Sequence, residues 1–302
     1  SGLSLAAGAA QMGAKTLLFE AGAMGGDCLN SGCVPSKALL AAAKAAHHAK
    51  GAPQMGVVGK PPQINFAAVK AHVAAVIDGI APNDSIARFE ALGVTVISEH
   101  ASFISPREVA SNRHKIRAKY FVIASGSQPA IPPIEGLSDI DFYTNETIFA
   151  VPAKPDHLVI IGGGPIGVEM AQAHARLGVN VTVIEALSVM ARDDSELVGM
   201  LKTQLNADGV TFIESVDVTS VRQNQPNRIT LTLANGSVVR ASHLLVATGR
   251  RPVIDGLSLP AAGVKFAKTG IITDRRLRTS NKRIYAIGDV TGRQQFTHMA
   301  SY

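Results

Sequence analysis

The chain has 302 residues, 46% of them hydrophobic and 17% charged. That is enough apolar sequence for two packed domains and too little charge for a disordered chain. The net charge is +6, yet the basic residues are scattered without interleaved aromatics, which argues against nucleic acid and for anionic cofactors. The densest basic cluster, Arg113, His114, Lys115, Arg117 and Lys119, reads as a solvated face at a hairpin. Two cysteines do not make a secreted disulfide framework, and no apolar run reaches transmembrane length. A cytoplasmic protein with no membrane span is expected.

Residues 1–10 are apolar and could pass for a signal-sequence core, but they lack a basic flank and run straight into a strand, so a helix of a nucleotide fold is the expectation. The spacing predicts a helix over Gly2–Met12 and a strand over Lys15–Glu20. The chain opens without methionine, as though inside a helix, and the expectation is a piece cut at both ends.

The stretch Gly25-Gly26-Asp27-Cys28-Leu29-Asn30-Ser31-Gly32-Cys33-Val34-Pro35-Ser36-Lys37 holds both cysteines. Its glycines and the alanine-rich segment Val34–Lys50 predict a loop that starts a helix. Amide dipoles at a helix start lower a thiol pKa. A loop this short removes little chain entropy, so stability is a poor reason for a disulfide. A zinc site needs more ligands than two thiols. A redox-active pair is therefore expected, rather than two inert core thiols.

A long helix is predicted over Asn65–Leu92, with one apolar face for core packing, and a strand over Val94–Ile97. A further strand, Lys119–Ala124, ends in Ser125-Gly126-Ser127. Pro129, Pro132, Pro133 and Pro152 suit a linker.

A second nucleotide unit starts at His157. Leu158–Ile161 is a buried-strand run, Gly162–Gly167 a glycine turn, Val168–Leu177 a helix and Val181–Glu185 a strand. Gly162, Gly164 and Gly167 match G-x-G-x-x-G between strand and helix, where backbone amides hold a pyrophosphate. Glu185 ends the next strand, where a carboxylate accepts from a ribose. It repels a 2′-phosphate, so NAD(H) is favoured over NADP(H), although Arg192 lies seven residues on. Gly2 and Glu20 stand eighteen residues apart, as do Gly167 and Glu185. Two carboxylates at equal offsets imply two bound dinucleotides. Ile229–Leu233 and Val238-Val239 flank Asn235-Gly236, which predicts a hairpin with a type I′ turn. Leu244–Ala247 and Arg283–Ile287 complete the strands. The two halves repeat a β-α-β theme, so the expected class is α/β with two Rossmann-like dinucleotide-binding domains.

Taken together, these motifs resemble the flavoprotein disulfide reductases, the family of glutathione reductase, dihydrolipoamide dehydrogenase and mercuric reductase. The cysteine stretch, Ala124–Ser127, Gly162–Glu169, Ala247–Pro252 and Thr279–Asp289 match in order. The wording of the cysteine stretch is most similar to the mercuric-reductase-like and dihydrolipoamide-dehydrogenase-like members. The resemblance implies an FAD-binding domain over 1–150, an NAD-binding domain over 151–272 and a return segment over 273–302. It implies that the family's C-terminal interface domain, with its His–Glu acid–base pair, is absent. Cys33 would lie next to the flavin and Cys28 would exchange with substrate. Lys37 would sit by the flavin and pair with Glu169. FAD would contact Gly2, Glu20, Gly26, Asp27, Lys37, Ala101, Ser125, Gly126, Ser127, Arg250, Asp289, Gln295, Phe296, Thr297 and His298. NAD would contact Gly162, Gly164, Pro165, Ile166, Gly167, Glu169, Glu185, Val218 and Gly249. Pro165 stands near the place of an aromatic lid in many members. The implied substrates are a small-molecule or protein-bound dithiol or disulfide, or Hg(II), with a homodimer as the full-length form. A non-catalytic flavin-binding redox sensor or scaffold, and a flavin-free NAD-dependent dehydrogenase, are the competing readings.

Overall fold

The computed structural model describes residues 1–293. Backbone contacts divide the chain into two compact units. The first is built from residues 1–30, 78–128 and 250 onward, the second from 31–77 and 129–249.

In the first unit, helix α1 (Gly2–Gln11) precedes strand β1 (Thr16–Phe19), as expected. β1 pairs in parallel with β2 (Val94–Ile97), and β3 (Phe121–Ile123) pairs in parallel with the strand Ile284–Ala286. Phe103, Val109, Ile123, Ile284 and Ala286 share one buried cluster, and Ala6, Phe89 and Val94 another. The short helix α2 (Gly26–Asn30) carries Cys28.

The basic cluster lies on a three-stranded antiparallel meander whose last strand, Lys115–Arg117, has both charged residues exposed. Glu99 anchors its turn: Oε1 lies 2.6 Å from Arg113 Nε, and Oε2 lies 3.5 Å from His114 Nδ1. Hydrogen bonds from Ser111 and Arg113 hold the Glu99 pKa down at about 2. Because the folded pKa is depressed, the carboxylate stabilises the fold above its ordinary range, and that stabilisation is lost as pH falls towards 2. Urea unfolding of Glu99→Gln against the parent chain should show a deficit at neutral pH that disappears by about pH 2. A deficit that persists unchanged at that pH would contradict this ion-pair account.

The second unit begins with α3 (Cys33–Gly51) and α4 (Phe66–Ile80). The uninterrupted helix expected over 65–92 is broken. After Ile80 the chain makes a 3₁₀ turn, Ala81–Asp84, and restarts as the helix Ile86–Ala91. Pro82 lacks an N–H for helical continuation, and Ser85 Oγ caps the new helix by accepting from Arg88 N at 3.3 Å.

Next come β4 (His157–Ile161), α5 (Pro165–Arg176), β5 (Asn180–Glu185), α6 (Ser195–Ala207) and β6 (Val210–Glu214). A meander follows, β7 (Val218–Gln225), β8 (Arg228–Leu233) and β9 (Val238–Ala241), and then β10 (His243–Val246). The parallel sheet has the order β6-β5-β4-β10. Strands buried on both faces explain the continuous run Leu158–Ile161. Leu158 and Ile160 join one core cluster with Val168, Met170 and Leu205, while Val159 and Ile161 join the other with Leu231, Leu233 and Leu244. Helices therefore cover one face and the meander the other. α3 packs against α5, and its Ala43 and Ala46 enter the first of these clusters. That packing draws residues 31–77 into this unit, so the compact units have other limits than the segments 1–150, 151–272 and 273–302.

The β8–β9 turn differs from expectation. Gly236 has φ +80°, while Asn235 is not among the positive-φ residues, so the turn is not type I′. Leu233 N donates to Ser237 O, and Gly236 N donates to Leu233 O, both at 2.9 Å. A three-residue loop ending in a left-handed glycine fits this pattern. Asn235 Oδ1 accepts from Ser237 N and Oγ instead of supplying a left-handed backbone.

Candidate functional site

The order β6-β5-β4-β10 reverses direction at β4, so the topological switch point, where open α/β sheets take their ligands, lies at the carboxyl ends of β4 and β10. The glycine turn occupies that place. Gly162 has φ +113°, and a Cβ on it would stand 2.4 Å from Ala247 O, just past β10. A Cβ on Gly167 would stand 2.0 Å from Gly162 O. Both glycines are thus required by backbone approach. Gly164 has open space instead, with nothing within 4 Å of a Cβ.

α5 starts at Pro165, not at Val168 as expected. Proline at the first helical position loses no bond, because that N–H would be unpartnered anyway. Pro165, Ile166 and Gly167 therefore form the first turn, and the amides there can meet an anion. Glu185 faces this turn: Oε2 accepts from Gly163 N at 2.6 Å and Oε1 from Leu187 N at 3.0 Å. Gly163 is a variable position of the pattern, and nothing in the sequence distinguishes its role in orienting Glu185. Arg192 is exposed.

In the first unit, Glu20 repeats this geometry. It follows β1, and Oε1 accepts from Gly22 N at 2.9 Å, two residues on, as Glu185 does from Leu187. Gly2 opens α1, and a Cβ there would come 3.1 Å from Ala124 Cβ. Ala101 is half-buried beside Phe103.

The sequence separates by long stretches four residues that the fold of this unit joins. Arg250 Nε donates to Ser127 Oγ at 2.7 Å, and Nη2 donates to Ser127 O at 2.8 Å. Ser127 Oγ donates to Asp289 Oδ2 at 2.7 Å. Arg250 Nη2 also lies 3.3 Å from Asp27 Oδ1. Two atoms of this network are buried and lack a partner among the described residues, Arg250 Nη1 and Asp289 Oδ1. One is a donor and the other an acceptor, and leaving each unsatisfied costs about 1–3 kcal/mol. A ligand carrying both hydroxyl and phosphate or carbonyl oxygens satisfies both. The flavin dinucleotide implied by the resemblance is such a ligand, so the residues present fit it.

Gly25 and Gly26 have φ +98° and +61°, and Asn30 Nδ2 donates back to Met24 O and Gly26 O. These contacts set α2 as a separate short helix, with Asp27 in its first turn. Both cysteines are half-buried. Only Cys33 stands at the start of a long helix, as the first residue of the 19-residue α3. Cys28 lies inside α2, which corrects the expectation that both thiols share one helix start.

Lys37 is exposed on α3, and Glu169 is half-buried on α5. Packing of α3 on α5 brings their helices together, yet no ion pair within 4.0 Å joins them among the described residues. What fastens α3 is different: His47 Nδ1 lies 3.2 Å from Asp208 Oδ1, and Arg176 and Gln172 of α5 donate to Asp208 Oδ2. Val218 starts β7, and Gly249 has φ +121° with its carbonyl accepting from Ala130 N. Gln295, Phe296, Thr297 and His298 lie outside the described residues. Among the described residues no helix is long and apolar enough to cross a membrane, and no group of three metal-ligating side chains lies together.

Comparison with known proteins bears on this geometry. Residues 1–302 match the family model described as pyridine nucleotide-disulphide oxidoreductase. The mercuric reductase of Streptomyces lividans is 36% identical over 298 residues, 96% of this chain and 63% of that protein. The mercuric reductase of Staphylococcus aureus is 34% identical, over 99% of this chain and 55% of its own. The dihydrolipoyl dehydrogenase of Chlamydia trachomatis is 35% identical, over 97% of this chain and 64% of its own. The chain thus spans between half and two thirds of the length of these relatives. Among solved structures, the Cu(II) complex of the HOCl-induced flavoprotein disulfide reductase RclA from Escherichia coli superposes with a TM-score of 0.89 at 27% identity. That superposition covers 99% of this chain and 66% of the other.

Proposed function

Because the chain belongs to the pyridine nucleotide-disulphide oxidoreductase family, we propose that it passes electrons between NAD(H), FAD and the Cys28–Cys33 pair to a dithiol, disulfide or Hg(II) substrate. The observation that carries this reading is Cys33 as the first residue of α3. That position places Cys33 where backbone N–H groups lack helical partners, and a thiolate is the reactive form in exchange.

A flavin, when bound, supplies a two-electron relay between nicotinamide and dithiol. Arg250 Nη1 and Asp289 Oδ1 would hold it, with Ser127 between them, and Glu20 would accept from its ribose. The first turn of α5 would take the nicotinamide cofactor's pyrophosphate, and Glu185 its adenosine ribose. The Glu185 carboxylate disfavours a 2′-phosphate there, which supports NAD(H).

Starting from the reduced pair, the Cys28 thiolate attacks one sulfur of a substrate disulfide and releases the other as a thiol. The Cys33 thiolate then attacks Cys28 of the mixed disulfide and releases the second substrate thiol. The pair ends as a disulfide, and the substrate has gained two electrons from it; each released substrate thiolate takes its proton from solvent. With Hg(II), the same two thiolates serve as soft ligands. The Asp208 contacts tie α3, the helix that Cys33 opens, to α5. The whole protein acts as a homodimer in the cytoplasm, where a labile disulfide can cycle.

Steady-state NADH oxidation by the yellow, flavin-loaded full-length protein, with the family's C-terminal interface domain, tests this reading, with lipoamide, Hg(II) or a quinone as acceptor. Turnover with lipoamide or Hg(II) is expected. A colourless protein, or turnover with quinone alone, overturns the reading, and cysteine reduction without turnover favours a redox sensor.

A further inference from the structure

We propose that Arg250 is a positioning residue for Cys28: its guanidinium neutralises the Asp27 carboxylate and ties the helix carrying the thiol to Ser127 and Asp289. The proposal rests on the thiol-exchange role given to Cys28 above. Asp27 and Cys28 are consecutive in α2, a helix of five residues. Asp27 is the residue next to Cys28, and a negative charge in a thiol's neighbourhood favours its neutral form and so opposes the thiolate. Arg250 Nη2 stands 3.3 Å from Asp27 Oδ1, which cancels that charge.

The guanidinium is itself held from behind. Nε and Nη2 donate to Ser127 Oγ and O, and Ser127 Oγ donates to Asp289 Oδ2. Asp289 is therefore the second carboxylate of the network, one serine away from the cation. The Arg250 side chain is 9% exposed and that of Asp27 41%. The guanidinium is thus shielded while Asp27 stays in contact with water, which weakens the coupling but leaves it at this short distance. Nη2 touches both Asp27 Oδ1 and Ser127 O, while Nε separately reaches Ser127 Oγ, so the planar guanidinium is held at two of its nitrogens.

The test uses the chain carrying Cys33→Ser, in which Cys28 is the sole remaining thiol. Its alkylation by iodoacetamide is followed against pH. Arg250→Gln should move the profile to higher pH and slow alkylation at pH 7 roughly three- to tenfold. Adding Asp27→Asn should restore the starting rate, and Asp27→Asn alone should accelerate alkylation by a similar factor. If Arg250 were only an anchor, the double variant would stay as slow as Arg250→Gln, and that result overturns the proposal. An unchanged profile for Asp27→Asn also overturns it, even where Arg250→Gln does not fold. Alkylation needs neither nicotinamide nor substrate. Failure of turnover with this charge coupling intact would therefore sink only the functional reading.

Discussion

Cys33→Ser is expected to abolish disulfide reduction by the flavin-loaded protein while leaving its fold unchanged. Serine is nearly isosteric with cysteine, and Cys33 is half-buried at the first position of α3, so little packing is lost. What disappears is the second thiol of the exchange. Without it the mixed disulfide on Cys28 has no internal partner to resolve it. The loss should be on the order of a thousandfold or more in kcat/KM, about 4 kcal/mol of transition-state stabilisation. NADH oxidation with lipoamide, alongside circular dichroism, measures both halves of the expectation. A variant that kept a tenth of the parent rate would show that Cys33 takes no part in exchange.

Gly167→Ala carries the second large effect, on the nucleotide unit. The added Cβ would meet Gly162 O at 2.0 Å, and both partners are backbone in the turn between β4 and α5. No side chain can swing aside, so the helix must move off the strand. Overpacking of this kind costs about 3 kcal/mol. The displaced first turn of α5 should also weaken NADH binding by roughly a hundredfold, as the anion-binding amides lose their aim. Gly164→Ala is the control. Its Cβ has nothing within 4 Å and its φ is −77°, so the cost should stay within about 1 kcal/mol. Thermal unfolding separates the two variants, and fluorescence titration with NADH measures the binding loss in Gly167→Ala against the parent chain. Equal destabilisation of both would contradict the close-approach argument.

Elements with strong local signals were legible in the sequence. The run Leu158–Ile161, the glycine turn and Glu185 announced a strand, a helix start and a strand end, and these elements form there, with the helix starting at Pro165. The equal offsets of Glu20 and Glu185, read as two dinucleotide sites, accompany a shared local geometry: each carboxylate accepts a bond from the amide two residues on. Signals that compete were misread. The apolar periodicity of 65–92 outweighed Pro82 and Ser85, although a missing donor and a cap together end a helix. Asn-Gly suggested a type I′ turn, but the Asn235 side chain found a better use in bonding Ser237. Contacts between distant segments left no trace. Arg250 meets Ser127 across 123 residues, and Ser127 meets Asp289 across 162. No pattern within a window of sequence encodes such a network. Its buried, unpartnered atoms became visible only once the chain was folded.

The central claim is that Cys28 and Cys33 form a redox couple fed by the nicotinamide cofactor. Differential alkylation tests it most directly. The flavin-loaded protein is incubated anaerobically with or without NADH, quenched with iodoacetamide under denaturing conditions, and analysed by peptide mass spectrometry. The account predicts that NADH converts a peptide linked through Cys28 and Cys33 into one alkylated at both positions, and that no such conversion occurs without NADH. Two cysteines already alkylated in the absence of NADH, or a linked peptide that NADH leaves intact, would contradict it.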